Sequence, residues 1–311
     1  MNALFERVAV IGLGLLGGSA ALAAKQRGVA RSVWGSGRRS EALADAVARG
    51  IVDGVGRPEE IASSADLVIL ATPVGAMAAS LQAIAPQLRP GCLVTDVGSV
   101  KTSLAETLPG LVPAGSTYVG SHPMAGSHLR GVEHADAELF CGTTCAVCPH
   151  AGASLAAVER VSAFWRALGA QVVEIDPVEH DASAAWISHL PHALAYVYAQ
   201  ALAGAPQRAG KLIGPGFRDF TRIARSDPKL WSEILTENHK ALAGPLAAAA
   251  AALTQLLRSI EADDREAVEA VIAEGRDQLV RLTGRAAAET QATGGPQRKM
   301  APESEIRKST E

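Results

Sequence analysis

Aromatic side chains are scarce in this chain of 311 residues: Phe, Trp and Tyr make up 4% of it. A core built on stacked rings is therefore excluded, and the abundant alanine favours closely packed helices instead. Charge of one sign is also lacking. The net charge is -3 and no block of like charges occurs, so neither a nucleic-acid partner nor a membrane surface is expected. No unbroken run of about 18 apolar residues is present. Strand-like sequence begins by Val8, which leaves no room for a signal peptide. Cysteine is limited to four residues, and without a secretory signal these read as reduced thiols in a cytoplasm. What is present is 48% hydrophobic sequence, enough for a substantial core and too much for wholesale disorder. The length suits two domains. These bounds describe a soluble, cytoplasmic α/β protein.

Three of the cysteines, Cys141, Cys145 and Cys148, have the C-x3-C-x2-C spacing of an iron–sulfur motif. The segment Phe140–Pro149 nevertheless reads as a short strand ended by proline. On a strand, residues three apart face opposite sides and lie roughly 10 Å apart, so the strand reading ranks above the metal one.

The N-terminus is far more specific. Arg7 to Ser19 reads as a buried strand, then Gly12-x-Gly14-x-x-Gly17, then an Ala-rich helix opening at Leu15 and Leu16. In a dinucleotide-binding turn Gly12 permits the bend, Gly14 admits the pyrophosphate and Gly17 lets the helix pack on the strand. The helix start then offers free N–H groups and a positive dipole to the phosphates. A second strand ends at Ser36, where NAD-preferring sites place an acid about 20 residues past the glycines. Here the sequence is Ser36-Gly37-Arg38-Arg39-Ser40. Two guanidiniums and hydroxyls suit a 2′-phosphate, so NADP is the expected cofactor, with NAD as the alternative. The competing reading makes Arg38 and Arg39 solvated charges at the start of the next helix.

Further strand–loop units follow. Ala65–Val74 is a strand broken by Thr72-Pro73, which puts a loop where the cofactor passes; Cys92–Val97 leads into Gly98-Ser99-Val100-Lys101. Ser99 then lies beyond the C-terminal end of a strand, where open α/β sheets bind ligands, and it doubles as a candidate helix N-cap. Next comes Gly120-Ser121-His122-Pro123-Met124-Ala125-Gly126-Ser127, read as a Gly/Pro loop carrying an imidazole able to exchange a proton near neutral pH.

From about Ile175 the strand signals stop and Ala/Leu periodicity takes over. Helices are expected from His192 to Ala203, from Pro228 to Ala243, from Pro245 to Ile260 after a proline break, and from the acidic start Asp263-Asp264-Arg265-Glu266. The expected organisation is a Rossmann-type dinucleotide-binding domain over 1–174, an all-helical substrate and dimerisation domain over 175–290, and a disordered tail over 291–311. His189 and His192 share a helix face, but no third ligand with suitable spacing is evident, so no metal is expected. His180 reads as structural at the domain junction.

Five motifs now stand in order: the glycine triplet, Asp96-Val-Gly-Ser99-Val-Lys101, Ser121-His122-Pro-Met-Ala-Gly126, Ser188-His189-Leu-Pro-His192 and Phe217-Arg-Asp219-Phe-Thr-Arg222. Together, from about Val8 to Leu282, they resemble the prephenate/arogenate dehydrogenase family of tyrosine biosynthesis. The resemblance implies hydride removal from the ring carbon bearing a 4-hydroxyl, with loss of the ring carboxylate as carbon dioxide. It implies that His122 accepts a hydrogen bond from that hydroxyl, that Ser99 also bonds it near the nicotinamide, and that Arg222 clamps the side-chain carboxylate with Asp219 orienting the guanidinium. Read from residues alone, Arg222 is equally a buried arginine paired with Asp219. Ser188, His192 and Ser127 match positions lining the substrate cavity. A homodimer is implied too, with Trp231 in the core or at the interface. One departure stands out: many relatives carry glutamate where this chain has His128, which favours prephenate over the amine-bearing arogenate. Two other readings keep the fold: a different NADP-dependent β-hydroxyacid or imine oxidoreductase, and a non-catalytic NADP-sensing module.

Overall fold

The computed structural model describes residues 3–125 and 129–292, with side chains described to residue 284. Ser127, His128 and the tail from 293 lie outside the described residues. The chain divides into two compact units, Met1–Leu246 and Ala247–Glu311.

The first unit begins with β1 (Phe5–Ile11), α1 (Leu15–Gln26), β2 (Ala30–Ser36), α2 (Ser40–Ala48), β3 (Gly54–Val55) and α3 (Pro58–Ala62). It continues with β4 (Leu67–Leu70), α4 (Val74–Ile84), β5 (Leu93–Asp96), α5 (Thr102–Thr107) and β6 (Thr117–Tyr118). These six strands form one parallel sheet in the order β3-β2-β1-β4-β5-β6, the doubly wound order of dinucleotide-binding folds. Its topological switch lies between β1 and β4, so the loops after those two strands flank the ligand crevice.

Period-two alternation divides the core between the two faces of the sheet. Val8 and Val10 of β1 join one buried cluster with α1, while Ala9 and Ile11 join another with Met77 and Leu81 of α4. A smaller sheet follows, built from β7 (Gly120–Pro123), β8 (Thr144–Cys148) and, after α6 (Leu155–Ala167), β9 (Gln171–Glu174). α6 brings Phe164 and Trp165 into the first cluster, where Phe164 meets Phe5 edge-on at 6.0 Å.

Helices occupy the rest: α7 (Pro177–Ala184), a π-helical turn Ala185–His189, α8 (Leu190–Ala201), α9 (Pro215–Thr221), α10 (Pro228–Glu237), α11 (His239–Glu261) and α12 (Arg265–Ala292). The expected proline break does not occur. Pro245 lies inside α11 and the break falls at Asn238. The reason is tertiary: Asn238 is buried with φ of -95° and ψ of 22°, and its side-chain amide donates to the Asp181 carbonyl and to His189. α12 opens as expected, with Asp264 accepting from the Ala267 N–H. By length and composition alone α11 could cross a membrane, with mean hydropathy 1.3 in its most apolar window.

Candidate active site

The glycine turn is built as its spacing predicts. Gly12 has φ of +107°, and a Cβ there would lie 2.6 Å from the Ala71 carbonyl oxygen. Its N–H donates to the Ser36 carbonyl at 2.8 Å, which ties the turn to the end of β2. A Cβ on Gly17 would sit 2.1 Å from the Gly12 oxygen, whereas one on Gly14 would meet nothing within 4 Å. Gly14 is the N-cap of α1 and supplies no side-chain cap, so the helix dipole and the first-turn amides at Leu15 and Leu16 are available to an anion. Across the switch point, the Thr72 hydroxyl is buried without a hydrogen-bond partner. Pro73 beside it is the exposed N-cap of α4. A buried hydroxyl left unsatisfied beside an open glycine turn is what a bound dinucleotide would complete. Ser36 is buried, and Arg38 and Arg39 are exposed at the start of α2.

These glycines separate packing from binding. Gly17→Ala is expected to lower Tm and nucleotide affinity together, because the clash costs roughly 1–3 kcal/mol or more. Gly14→Ala should keep the wild-type Tm and weaken nucleotide binding alone. Differential scanning fluorimetry and NADPH fluorescence titration check both.

His122 does not lie on a loop. It occupies the middle of β7, paired with Ala146 of β8, and it is buried. β7 is the edge strand of its sheet, which is why a strand can end in Pro123. Cys145 and Cys148 lie buried on β8, with Cys141 in the turn before it; all four cysteines are free. Among the described residues no group of three or more His, Cys, Asp or Glu is placed to hold a metal.

Behind His122 lies a buried polar network that motif reading did not resolve. The Asp96 carboxylate accepts from the Lys101 ammonium, the Gly98 N–H at 2.7 Å, the Tyr118 hydroxyl at 2.7 Å and the Ser121 N–H at 3.2 Å. Lys101 also donates to the Ser121 carbonyl at 2.8 Å. The Ser121 hydroxyl receives Trp165 Nε1 at 2.9 Å, meets Thr95 Oγ1 at 2.8 Å and donates to the Asp96 carbonyl. Lys101 is 1% and Asp96 0% exposed, so this is a fully buried ion pair, with four donors on the carboxylate and two acceptors on the ammonium.

His122 Nδ1 stands 2.9 Å from His180 Nε2, and His180 Nδ1 stands 2.9 Å from Asp181 Oδ1. The same carboxylate accepts from the Lys101 and Thr102 N–H groups, both at 2.8 Å, and so caps α5. Ser99 is therefore not the N-cap: Lys101 holds that position, and the half-buried Ser99 makes no hydrogen bond among the described residues. Burial pushes the His122 pKa well below its ordinary value, and the nearby His180, Lys101 and His189 push it the same way. Burial alone would raise the Asp181 carboxyl, but the donors from His180, Thr102 and Lys101 outweigh it and hold the carboxyl below its ordinary value.

The Ser188–His192 motif sits where the π-helical turn enters α8, a helix irregularity often found at functional sites. His192 stacks on Trp231 with centroids 3.5 Å apart, and Trp231 meets His189 edge-on at 6.1 Å. His192 Nδ1 bonds the Ser188 carbonyl at 2.9 Å. The His192 pKa is lowered, first by burial and also by the Arg222 charge. His189 accepts at Nδ1 from Asn238, which leaves Nε2 as a buried donor without a partner. Burial lowers the His189 pKa to about 4. Arg222 and Asp219 are both exposed and form no ion pair with each other among the described residues. The buried-pair alternative for Arg222 is thereby removed. Two residues that sequence reasoning left out of the site, His180 and Asp181, join it; their adjacency in Glu179-His180-Asp181 was the available signal.

A parallel dinucleotide sheet, an uncapped helix start at a glycine turn and a neutral histidine held by a buried network define a nicotinamide-dependent oxidoreductase. The profile for "Prephenate dehydrogenase, nucleotide-binding domain" matches residues 20–174, and that for "Prephenate dehydrogenase, dimerization domain" matches 176–274. The chain belongs to the prephenate dehydrogenase family. It is 34% identical to the cyclohexadienyl dehydrogenase of Zymomonas mobilis, with 84% of this chain and 90% of that protein covered. It is 34% identical to the prephenate dehydrogenase of Bacillus subtilis, with 76% and 66% covered. Among solved structures, Aquifex aeolicus prephenate dehydrogenase in complex with hydroxyphenyl propionate and NAD+ superposes with TM-score 0.81 at 28% identity, covering 89% of this chain and 98% of that one. Synechocystis arogenate dehydrogenase gives 0.75 at 29% identity, covering 89% and 99%.

Proposed function

We propose that this chain catalyses the oxidative decarboxylation of prephenate to 4-hydroxyphenylpyruvate in tyrosine biosynthesis, with NADP preferred over NAD. The observation that carries the reading is His122, buried and neutral on β7. A neutral imidazole accepts a hydrogen bond; an imidazolium does not. As hydride leaves the ring carbon, the oxygen on that carbon becomes carbonyl-like, and an acceptor for its proton lowers the barrier. When bound, the nicotinamide supplies the hydride acceptor. Loss of the ring carboxylate as carbon dioxide restores aromaticity, so the protein's task is alignment and polarisation.

In this reading Gly12, Gly14, Leu15, Leu16, Gly17, Ser36, Arg38, Arg39, Thr72 and Pro73 hold the cofactor. Ser99 bonds the ring hydroxyl beside it. Arg222 binds a substrate carboxylate bidentately, while the orienting role expected of Asp219 has no ion pair behind it among the described residues. Ser188 and His192 line the substrate cavity, and stacking on Trp231 fixes the His192 ring; Ser127, expected beside them, lies outside the described residues. A homodimer is supported by the dimerization-domain match and by exposed Leu253, Leu257 and Ile260 on α11. The free cysteines support a cytoplasmic setting.

Arogenate dehydrogenase is the second reading, favoured by the Synechocystis likeness. Comparing kcat/KM for the two substrates tests the choice: a higher value with prephenate is expected, and a clear preference for arogenate overturns it. The cofactor inference has its own test. Arg38→Ser/Arg39→Ser is expected to raise KM for NADP roughly 10- to 100-fold, the loss of a charge-assisted phosphate contact, with KM for NAD little changed. A wild-type kcat/KM higher with NAD than with NADP contradicts it.

A further inference from the structure

We infer that His180 is a positioning residue which, backed by Asp181, fixes the tautomer of His122. The inference rests on the proposed role of His122 as an acceptor and adds to it a reason why Nε2 is the acceptor nitrogen. Three side chains form a directed chain. Asp181 Oδ1 accepts from His180 Nδ1 at 2.9 Å, because a carboxylate engaged by the Lys101 and Thr102 N–H groups has only acceptor capacity to offer. With Nδ1–H committed to Asp181, we assign His180 a lone pair at Nε2. That lone pair faces His122 Nδ1 at 2.9 Å, which must then carry the proton. The result is His122 with Nδ1–H and a bare Nε2, and no group among the described residues takes up that nitrogen.

The direction is enforced at its far end. Asp181 is held by two backbone N–H groups of α5 and cannot turn away without uncapping that helix. His180 and His122 are both buried, so water competes little for the bond between the two rings. Lys101, His180 and His189 are the groups whose charge bears on His122, and none of them offers a carboxylate that would favour imidazolium. The arrangement thus differs from a nucleophile-activating triad. A second imidazole stands between carboxylate and catalytic ring, so the chain transmits orientation and keeps the negative charge one ring away.

The test uses the full chain uniformly labelled with ¹⁵N-histidine, with His122 signals assigned by their loss in His122→Asn. In wild type, His122 Nδ1 should show the shift of a protonated ring nitrogen and Nε2 that of an unprotonated one. In His180→Leu the two shifts should move towards each other as both tautomers become populated. kcat with prephenate should fall roughly 10²-fold, while KM for prephenate and Kd for NADPH stay within about twofold. His180→Gln, whose amide oxygen can still accept from Nδ1–H, should recover a substantial part of kcat and restore the shift pattern. Unchanged His122 shifts in both variants, or a loss of kcat matched by equal changes in KM and Kd, would overturn the inference. If wild type turns over neither prephenate nor arogenate, the functional reading fails, while the ¹⁵N pattern still decides the role of His180.

Discussion

His122→Asn lowers kcat with prephenate by roughly 10²- to 10⁴-fold, the span for loss of a positioned proton acceptor, and leaves KM within a few-fold. The asymmetry follows from where the interaction acts. The bond from the ring hydroxyl to Nε2 strengthens as that oxygen becomes carbonyl-like, so its loss is felt mainly in the transition state. Asparagine fits the same backbone, since β7 is held by its pairing with β8, and fold and nucleotide affinity should survive. pH dependence adds a second signature. Burial, reinforced by His180, Lys101 and His189, lowers the His122 pKa well below its ordinary value. The neutral, active form is therefore fully present above that ordinary value and is lost only as pH falls through the lowered one. Activity should persist as pH drops through about 6.5, where an unperturbed imidazole would already be half protonated.

Lys101→Met destabilises the folded chain by about 3–5 kcal/mol, the cost of leaving one partner of a buried ion pair uncompensated. The Asp96 carboxylate keeps its bonds from Gly98, Tyr118 and Ser121, but its only cation is gone among the described residues. Because the Ser121 carbonyl also loses a donor, β7 loosens next to His122. Chemical denaturation measures this as a fall in the unfolding midpoint. The double variant Lys101→Met/Asp96→Asn should be less destabilised than the sum of its singles, since removing the stranded charge relieves most of the cost. Lys240→Met, which replaces an exposed lysine, serves as control and should change stability by under about 0.5 kcal/mol. A Lys101 variant no worse than this control would mean the pair contributes nothing.

Much of the fold was legible because its signals are local. The strand running into Gly12-x-Gly14-x-x-Gly17 forces a turn that only glycine fits at Gly12 and Gly17, and the strand order follows from repeated strand–helix units. What was illegible depended on partners far away in sequence. His122 reads as a loop residue because Gly and Pro surround it, yet β8, more than twenty residues on, recruits it into a sheet. Pro245 reads as a helix break, but the break falls at Asn238, whose amide is committed to Asp181 and His189. Ser99 reads as a cap because α5 starts nearby, but a carboxylate some 80 positions along takes that role. His180 looked structural for the same reason: nothing in Glu179-His180-Asp181 says which ring its Nε2 will meet.

The most direct measurement is an assay of prephenate consumption, NADPH formation and 4-hydroxyphenylpyruvate release, run side by side on wild type and His122→Asn. Wild type is expected to yield NADPH and 4-hydroxyphenylpyruvate in equal amounts, and the variant to do so at least roughly 10²-fold more slowly with KM nearly unchanged. Absence of prephenate-dependent reduction by wild type with either NADP or NAD, or equal rates in the two proteins, would contradict the account.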